Sequence, residues 1–551
     1  DDVTGTTSGH FALAGDLNAS GTTYSGAPIA VFSGTLAGLG HTISNLSVSG
    51  SDDVGLIGQT VSGTKTFIRD IGLEGVKIHA TGSNVGALLG HSYGDLIISR
   101  AYSTGTVAGS DLVGGLIGNI DPDTAWSRIT DSFSGASVRA SEGCAGGLIE
   151  AARLTAVTNS HSTGDVTGAA GAAGLIFDAT ATNVAKCYAT GDVSASGSAL
   201  SGGGLIGIWT TDPKYDNSIL NSFATGNVTG GYALGGLVGV IQGSGKVTVA
   251  SSFATGTVKS EAEYGSASDG VGGLFGFVQE SGTVTVSNSH ATGDVIINGS
   301  NVLNVGGLIG SVGGLTDSGS TNITDSYATG DIAASGGTYV GGLIGWVNDG
   351  ATISGCQATG DVTGASVASP GGTYEAATGG LVGYMFQGKI TDSYASGTVT
   401  GHSAGGLAGG IANMPVKNSY WNADSNHSGF GTSAEVTITE SQGLTSAQFK
   451  DIRYYLNGTI NDVLAARQAA ATAQAAYRAA AGRQEGSNAG QALQNQAGRS
   501  IFAARNIEQQ QTSINDQIVY AGSADYSADI KSIDADGIQF ELYDESHGGK
   551  K

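Results

Sequence analysis

A five-residue apolar phrase, Gly-Gly-Leu-Ile/Val-Gly, recurs twelve times in this chain. Its leucine stands at Leu56, Leu88, Leu116, Leu148, Leu175, Leu205, Leu237, Leu274, Leu308, Leu343, Leu381 and Leu407, at intervals of 26 to 38 residues. A second phrase, Ser-Tyr/Phe/His-Ala-Thr-Gly-Asp-Val, lies between most copies. Its variable residue is Tyr102, Phe133, His161, Tyr188, Phe223, Phe253, His290, Tyr327, Gln357 or Tyr394. A recurring period of this length means a repeat architecture.

Each repeat holds three short β-prone pieces broken by Gly, Ser, Thr and Asp, which tolerate turns. None carries a helical i, i+3, i+4 stripe. One repeat exposes an apolar ladder that it cannot bury alone, and parallel stacking of repeats buries it. The expected fold is all-β: a parallel β-helix, or β-solenoid, of about twelve coils. The residue before the aromatic is always small (Ala101, Ser132, Ser160, Cys187, Ser222 and onward) and reads as an inward column. The aromatic slot accepts Tyr, Phe, His and Gln and reads as partly exposed. The glycines of the pentapeptide fit a tight corner. Glu150 and Phe177 replace its last glycine in two copies, which predicts a local bulge.

Three divisions follow. Residues 1–54 lack the repeat wording but alternate as strands, and read as the first coils. Residues 55–444 are the repeats. Residues 445–551 change composition: the Ala-rich stretches 461–481 and 491–511 predict a helical hairpin, Ser446 is a candidate helix cap, and 525–545 alternates as strands again. The hairpin reads either as a cap on the open solenoid end or as an oligomerisation or anchoring element. Long insertions at 260–270 and 368–380 would protrude from one edge.

The net charge of −23 argues against nucleic-acid and anionic-membrane partners, which call for Lys/Arg stripes. There is no apolar run of transmembrane length, so no membrane insertion is expected. Three distant cysteines make no disulfide framework. The chain starts without a signal peptide, in strand-like sequence, and reads as a fragment of something longer.

The paired phrases resemble the GLUG motif of bacterial surface and secreted proteins. The opening GHFALAGDLNASG and FSGTLAGLGHTISNLSVSG, with NSYWNADSNHSG and GLTSAQFKD after the last repeat, resembles the flanks of filamentous-haemagglutinin-like exoproteins. The resemblance covers roughly residues 8–450. It implies a right-handed β-helix, export by a two-partner or related type V route with an outer-membrane secretion partner, and adhesion to cells or glycans.

No catalytic set emerges. Asp165, Asp192, Asp294, Asp331 and Asp361 share one slot. They read as turn residues bonding their own backbone, with a Ca²⁺ ladder as the lesser alternative; no other cofactor or metal is expected. His161 and His290 read as substitutions in the aromatic slot. The candidate ligand-binding residues are aromatic: Phe277, Trp346 and Tyr384 directly follow the pentapeptide, and Trp209 and Phe386 lie slightly further along their strands. If that column points outward it offers a carbohydrate platform; if inward, a core stack. The expected function is a non-enzymatic, secreted or surface-displayed adhesin binding glycan or host or matrix protein. A polysaccharide lyase or hydrolase on the same scaffold and a ligand-free stalk are the alternatives.

Overall fold

The computed structural model describes residues 3–449, apart from 123–125, 196–200, 262–269, 281, 300–303, 314–318, 349, 368–374, 427 and 435, together with three strands between 526 and 550. The chain divides into two compact units, Asp1–Thr445 and Ser446–Lys551.

The first unit is a parallel β-solenoid. One rung runs Val3, Ile29, Ile57, Leu89, Ile117, Ile149, Ile176, Ile206, Val238, Phe275, Ile309, Ile344, Val382, Ala408 and Phe430, each paired in parallel with the next. That makes fifteen coils, where the repeat wording alone suggests twelve. The extra coils lie at both ends, where Ile29 and Phe430 keep the rung but the pentapeptide is gone.

A middle coil shows the construction. Its strands are Ser320–Thr324, Tyr327–Ala328, Ile332–Ala333, Tyr339–Gly341 and Ile344–Val347. Strands like Tyr339–Gly341 stack into an eleven-stranded sheet of their own. The pentapeptide makes the corner between that sheet and the next. All its leucines are buried. A Cβ on its second glycine would meet the next coil's carbonyl oxygen at 1.9 Å for Gly342 and 2.1 Å for Gly307, so only glycine fits in those coils; the Leu88 copy carries Ala87 there.

The column of small residues points inward, as its composition suggests, and it also forms a hydrogen-bond ladder. In most coils the backbone N–H at this position donates to the serine Oγ of the next coil, at 3.0–3.4 Å. Each hydroxyl in turn donates to the carbonyl two residues back, as from Ser252 to Ala250 at 2.9 Å. Cys187 and Cys356 make the same donations through sulfur. The preceding residue holds positive φ, from 47° to 66° at Asp131, Asn159, Lys186, Asn221, Ser251, Asn288, Asp325, Gly355, Asp392 and Asn418. That left-handed corner aims the chain into the ladder.

The bulge expected at Glu150 and Phe177 does not form: Ile149, Ala151 and Ala152 pair in unbroken register with Ile176, Asp178 and Ala179. The Phe177 ring takes the space left by Gly171 and Gly207, 2.4–2.8 Å from where their Cβ atoms would sit.

In the second unit, Tyr526–Asp534, Gly537–Asp544 and Gly549–Lys550 form an antiparallel sheet, matching the alternation there. Residues 446–449 are helical. Ser446 is thus already inside the helix, and the residue before it is Thr445, one position earlier than expected for the cap. The Ala-rich hairpin lies outside the described residues, as do most of the 260–270 and 368–380 insertions.

Candidate functional site

Among the described residues, aromatic side chains form two columns on the solenoid, and one of them has rings outside any face-to-face stack. The first runs through Tyr102, Phe133, His161, Tyr188, Phe223, Phe253, His290 and Tyr327. Successive ring centroids are 4.4–5.1 Å apart and the planes agree within 8°. Coil spacing is about 4.8 Å, so in-register rings meet face to face. Gln357 continues the column and accepts a hydrogen bond from the Tyr394 hydroxyl at 2.8 Å. His161 and His290 are members of this stack, and burial holds the His161 imidazole far below its ordinary pKa. The sequence marks the slot but not the stacking; the signal was the aromatic recurring at one register in consecutive repeats.

The second column follows the pentapeptide: Val240, Phe277, Ser311, Trp346, Tyr384 and Gly410 occupy one register. Trp346 and Tyr384 are partly exposed, and Phe386 beside them is 42% exposed. Phe277 is buried. Trp209 is a correction to the sequence expectation. It stands one register further along, in the column of Ile241, Val278, Val347 and Met385, fully buried, with its Nε1–H donating to the Thr182 carbonyl at 3.2 Å. An odd step along a strand reverses the side a side chain faces, and that step sends Trp209 into the core.

The structure adds Tyr339, from the neighbouring sheet. Its ring centroid is 5.2 Å from that of Tyr384, tilted by 36°. Tyr384 leans over the next coil, where a Cβ on Gly410 would lie 2.6 Å from its ring. Comparing repeats finds Tyr339, because the same register carries Gly270, Asn304 and Ala377 in adjoining coils.

The shared aspartate slot is a ladder between coils. Asp165, Asp192, Asp294, Asp331 and Asp361 each accept the backbone N–H of the same position one coil on, at 2.7–2.9 Å. The expected bond to their own backbone is replaced by this one because parallel stacking brings the next coil's N–H within reach. Among the described residues, no group of three or more His, Cys, Asp or Glu is placed to hold a metal ion. None of their helices is long and apolar enough to cross a membrane.

A polar cluster lies toward the N-terminal end of the same face. Glu150 is 1% exposed, and its Oε2 has no hydrogen-bond partner. Burial, then the nearby Asp178 and Asp111, pushes its pKa well above the ordinary carboxylate range. Burial likewise raises Asp178 and lifts the Cys144 thiol to about 12.

The GLUG motif matches residues 336–363 and 374–400, which include Tyr339, Trp346 and Tyr384. Over 123 residues the chain is 42% identical to Halomucin of Haloquadratum walsbyi; this covers 20% of the chain and 1% of that protein. No solved structure matches. The fold and these likenesses define a repeat-built β-solenoid carrying the GLUG motif.

Proposed function

We propose that this chain is part of a secreted or surface-displayed adhesin, non-enzymatic, whose face at Tyr339, Trp346 and Tyr384 binds glycans. The observation that carries the reading is the cluster itself: three partly exposed aromatic rings from three strands, Trp346 and Tyr384 on one sheet and Tyr339 on its neighbour, with Tyr339 and Tyr384 tilted where the other column is stacked. Rings with an apolar body and a polar tip suit a ligand that is itself amphipathic. The likeness to Halomucin and to the GLUG motif supports a repeat protein of the cell surface or its surroundings. Export through an outer-membrane partner, as in filamentous-haemagglutinin-like exoproteins, belongs to the same proposal.

A glycan-array screen of the purified chain, with and without Ca²⁺ and with the sugars checked for cleavage, tests it. Binding without cleavage, lost in Trp346→Ala with Tyr384→Ala, is the expected result. Cleavage replaces the adhesin by an enzyme. Binding to neither glycan nor surface protein leaves a stalk.

A further inference from the structure

The face carries no positive charge of its own. Residues 260–388, which supply Phe277, Ser311, Tyr339, Trp346 and Tyr384, contain no Lys or Arg at all, against eleven Asp and Glu. Cationic side chains end at Lys259 and resume at Lys389. A sulfated or uronic-acid polymer would approach with nothing to pair its charges and a field of its own sign to cross.

The direction of the face is set by the ladder. Ser311, Trp346, Tyr384 and Gly410 follow one another coil by coil. Each step is about 4.8 Å, close to the length of one pyranose unit in an extended chain. The row is bounded. On its N-terminal side Ser311 is fully buried and Phe277 is 4% exposed. On its C-terminal side Tyr384 already covers Gly410, and the next residue in register is Thr432.

We infer that the ligand is an uncharged, linear polysaccharide lying parallel to the solenoid axis, with about two consecutive sugars stacked over Trp346, Tyr339 and Tyr384. This rests on the glycan-binding reading above and narrows it. Stacking on aromatic rings survives salt, whereas charge pairing at a surface is screened within about 10 Å at 0.1 M.

The test is calorimetric titration of the full chain with uncharged sugars of increasing length, glucose to cellohexaose and N-acetylglucosamine with its β-linked oligomers, in low and high salt. Alginate and dextran sulfate are the anionic probes. Affinity should climb from one sugar to roughly two, one per coil of the bounded row, then level off. It should be indifferent to salt. Trp346→Ala should weaken it about tenfold, the size of one lost aromatic contact, and Phe253→Leu in the stacked column should leave it unchanged. Affinity that stops rising at one sugar overturns the axial path. Binding of the anionic polymers, lost in Trp346→Ala, overturns the ligand class while the glycan reading stands. A folded chain that binds none of the sugars sinks that reading itself.

Discussion

The column from Tyr102 to Tyr327 and the column from Phe277 to Tyr384 use the same kinds of side chain on the same parallel ladder. In the first, every rung is a ring, and ring spacing matches coil spacing, so each interior face is covered by a neighbour. In the second, the run of rings is short: Trp346 and Tyr384 stand on neighbouring coils, but Ser311 precedes them and Gly410 follows. A ring beside a small residue can tip, and Tyr384 does so over Gly410. An unbroken column serves stability, and an interrupted one leaves rings for something else. The difference lies in what flanks the aromatics along the ladder more than in how many there are.

The sharpest way to break this comparison pairs two tryptophans. Trp209→Ala removes a fully buried indole and its hydrogen bond to Thr182. It should cost about 3–5 kcal/mol, read as an earlier urea midpoint. Trp346→Ala should move that midpoint little and affect ligand binding alone. If both variants unfold equally early, the second column is structural and the face is not a site. Phe223→Ala, which opens a gap in the stack at a 5%-exposed position, should cost about 3 kcal/mol with binding intact. Phe223→Tyr, which restores a ring, should recover most of that loss.

The polar end of the face sharpens the comparison through pH. Glu150 occupies the register where most coils carry glycine. Its native pKa lies above the unfolded value near 4.5, so the folded state holds the proton more tightly. The Glu150 contribution to stability is therefore greatest in acid. It falls as pH rises through about 4.5, and goes on falling until Glu150 itself ionises in the folded protein. Thermal unfolding from pH 4 to 8 should show this slope in the native chain and a shallower one in Glu150→Gln, where the raised Asp178 remains. Equal slopes in both would assign the effect elsewhere. The aromatic end, which has no such group, should be insensitive: Trp346→Ala should leave the slope as it is.

The repeat period made the solenoid legible, because a parallel ladder must bring like residues together. The same logic sufficed for the inward small column and the buried leucines. It failed where a residue's role depends on its neighbours in space. Trp209 and Trp346 follow the same phrase, and one step of register separates core from surface. Phe277 shares the register of Trp346 yet is buried. Tyr339 comes from another strand, and only the folded corner brings it to Tyr384. The aspartate slot was legible as structural, but its hydrogen bonds cross between coils, a partner that turn chemistry within one repeat does not suggest. Glu150 was legible as a departure from the repeat, and its burial was not.

The smallest expected effect concerns what keeps the stacked column in register. The residue just before most of the rings is the inward Ser, and its Oγ accepts the N–H of the coil before. Ser252→Ala leaves the Ser222 N–H without its acceptor in a buried corner, a loss of about 1 kcal/mol. Ser252→Cys should cost less, because Cys187 and Cys356 already fill the slot and donate to the carbonyls of Ala185 and Ser354 at 3.3 Å. Burial pushes both native thiols up to about 12, so neither should react with iodoacetamide at pH 8 until the coils open. Reagent uptake by Cys187 and Cys356 during urea titration then reports the two stretches of the ladder separately. If Ser252→Cys proves as costly as Ser252→Ala, the column is held by packing alone and the hydrogen bonds are incidental. If it is milder, the ladder inside the stack is what fixes ring against ring.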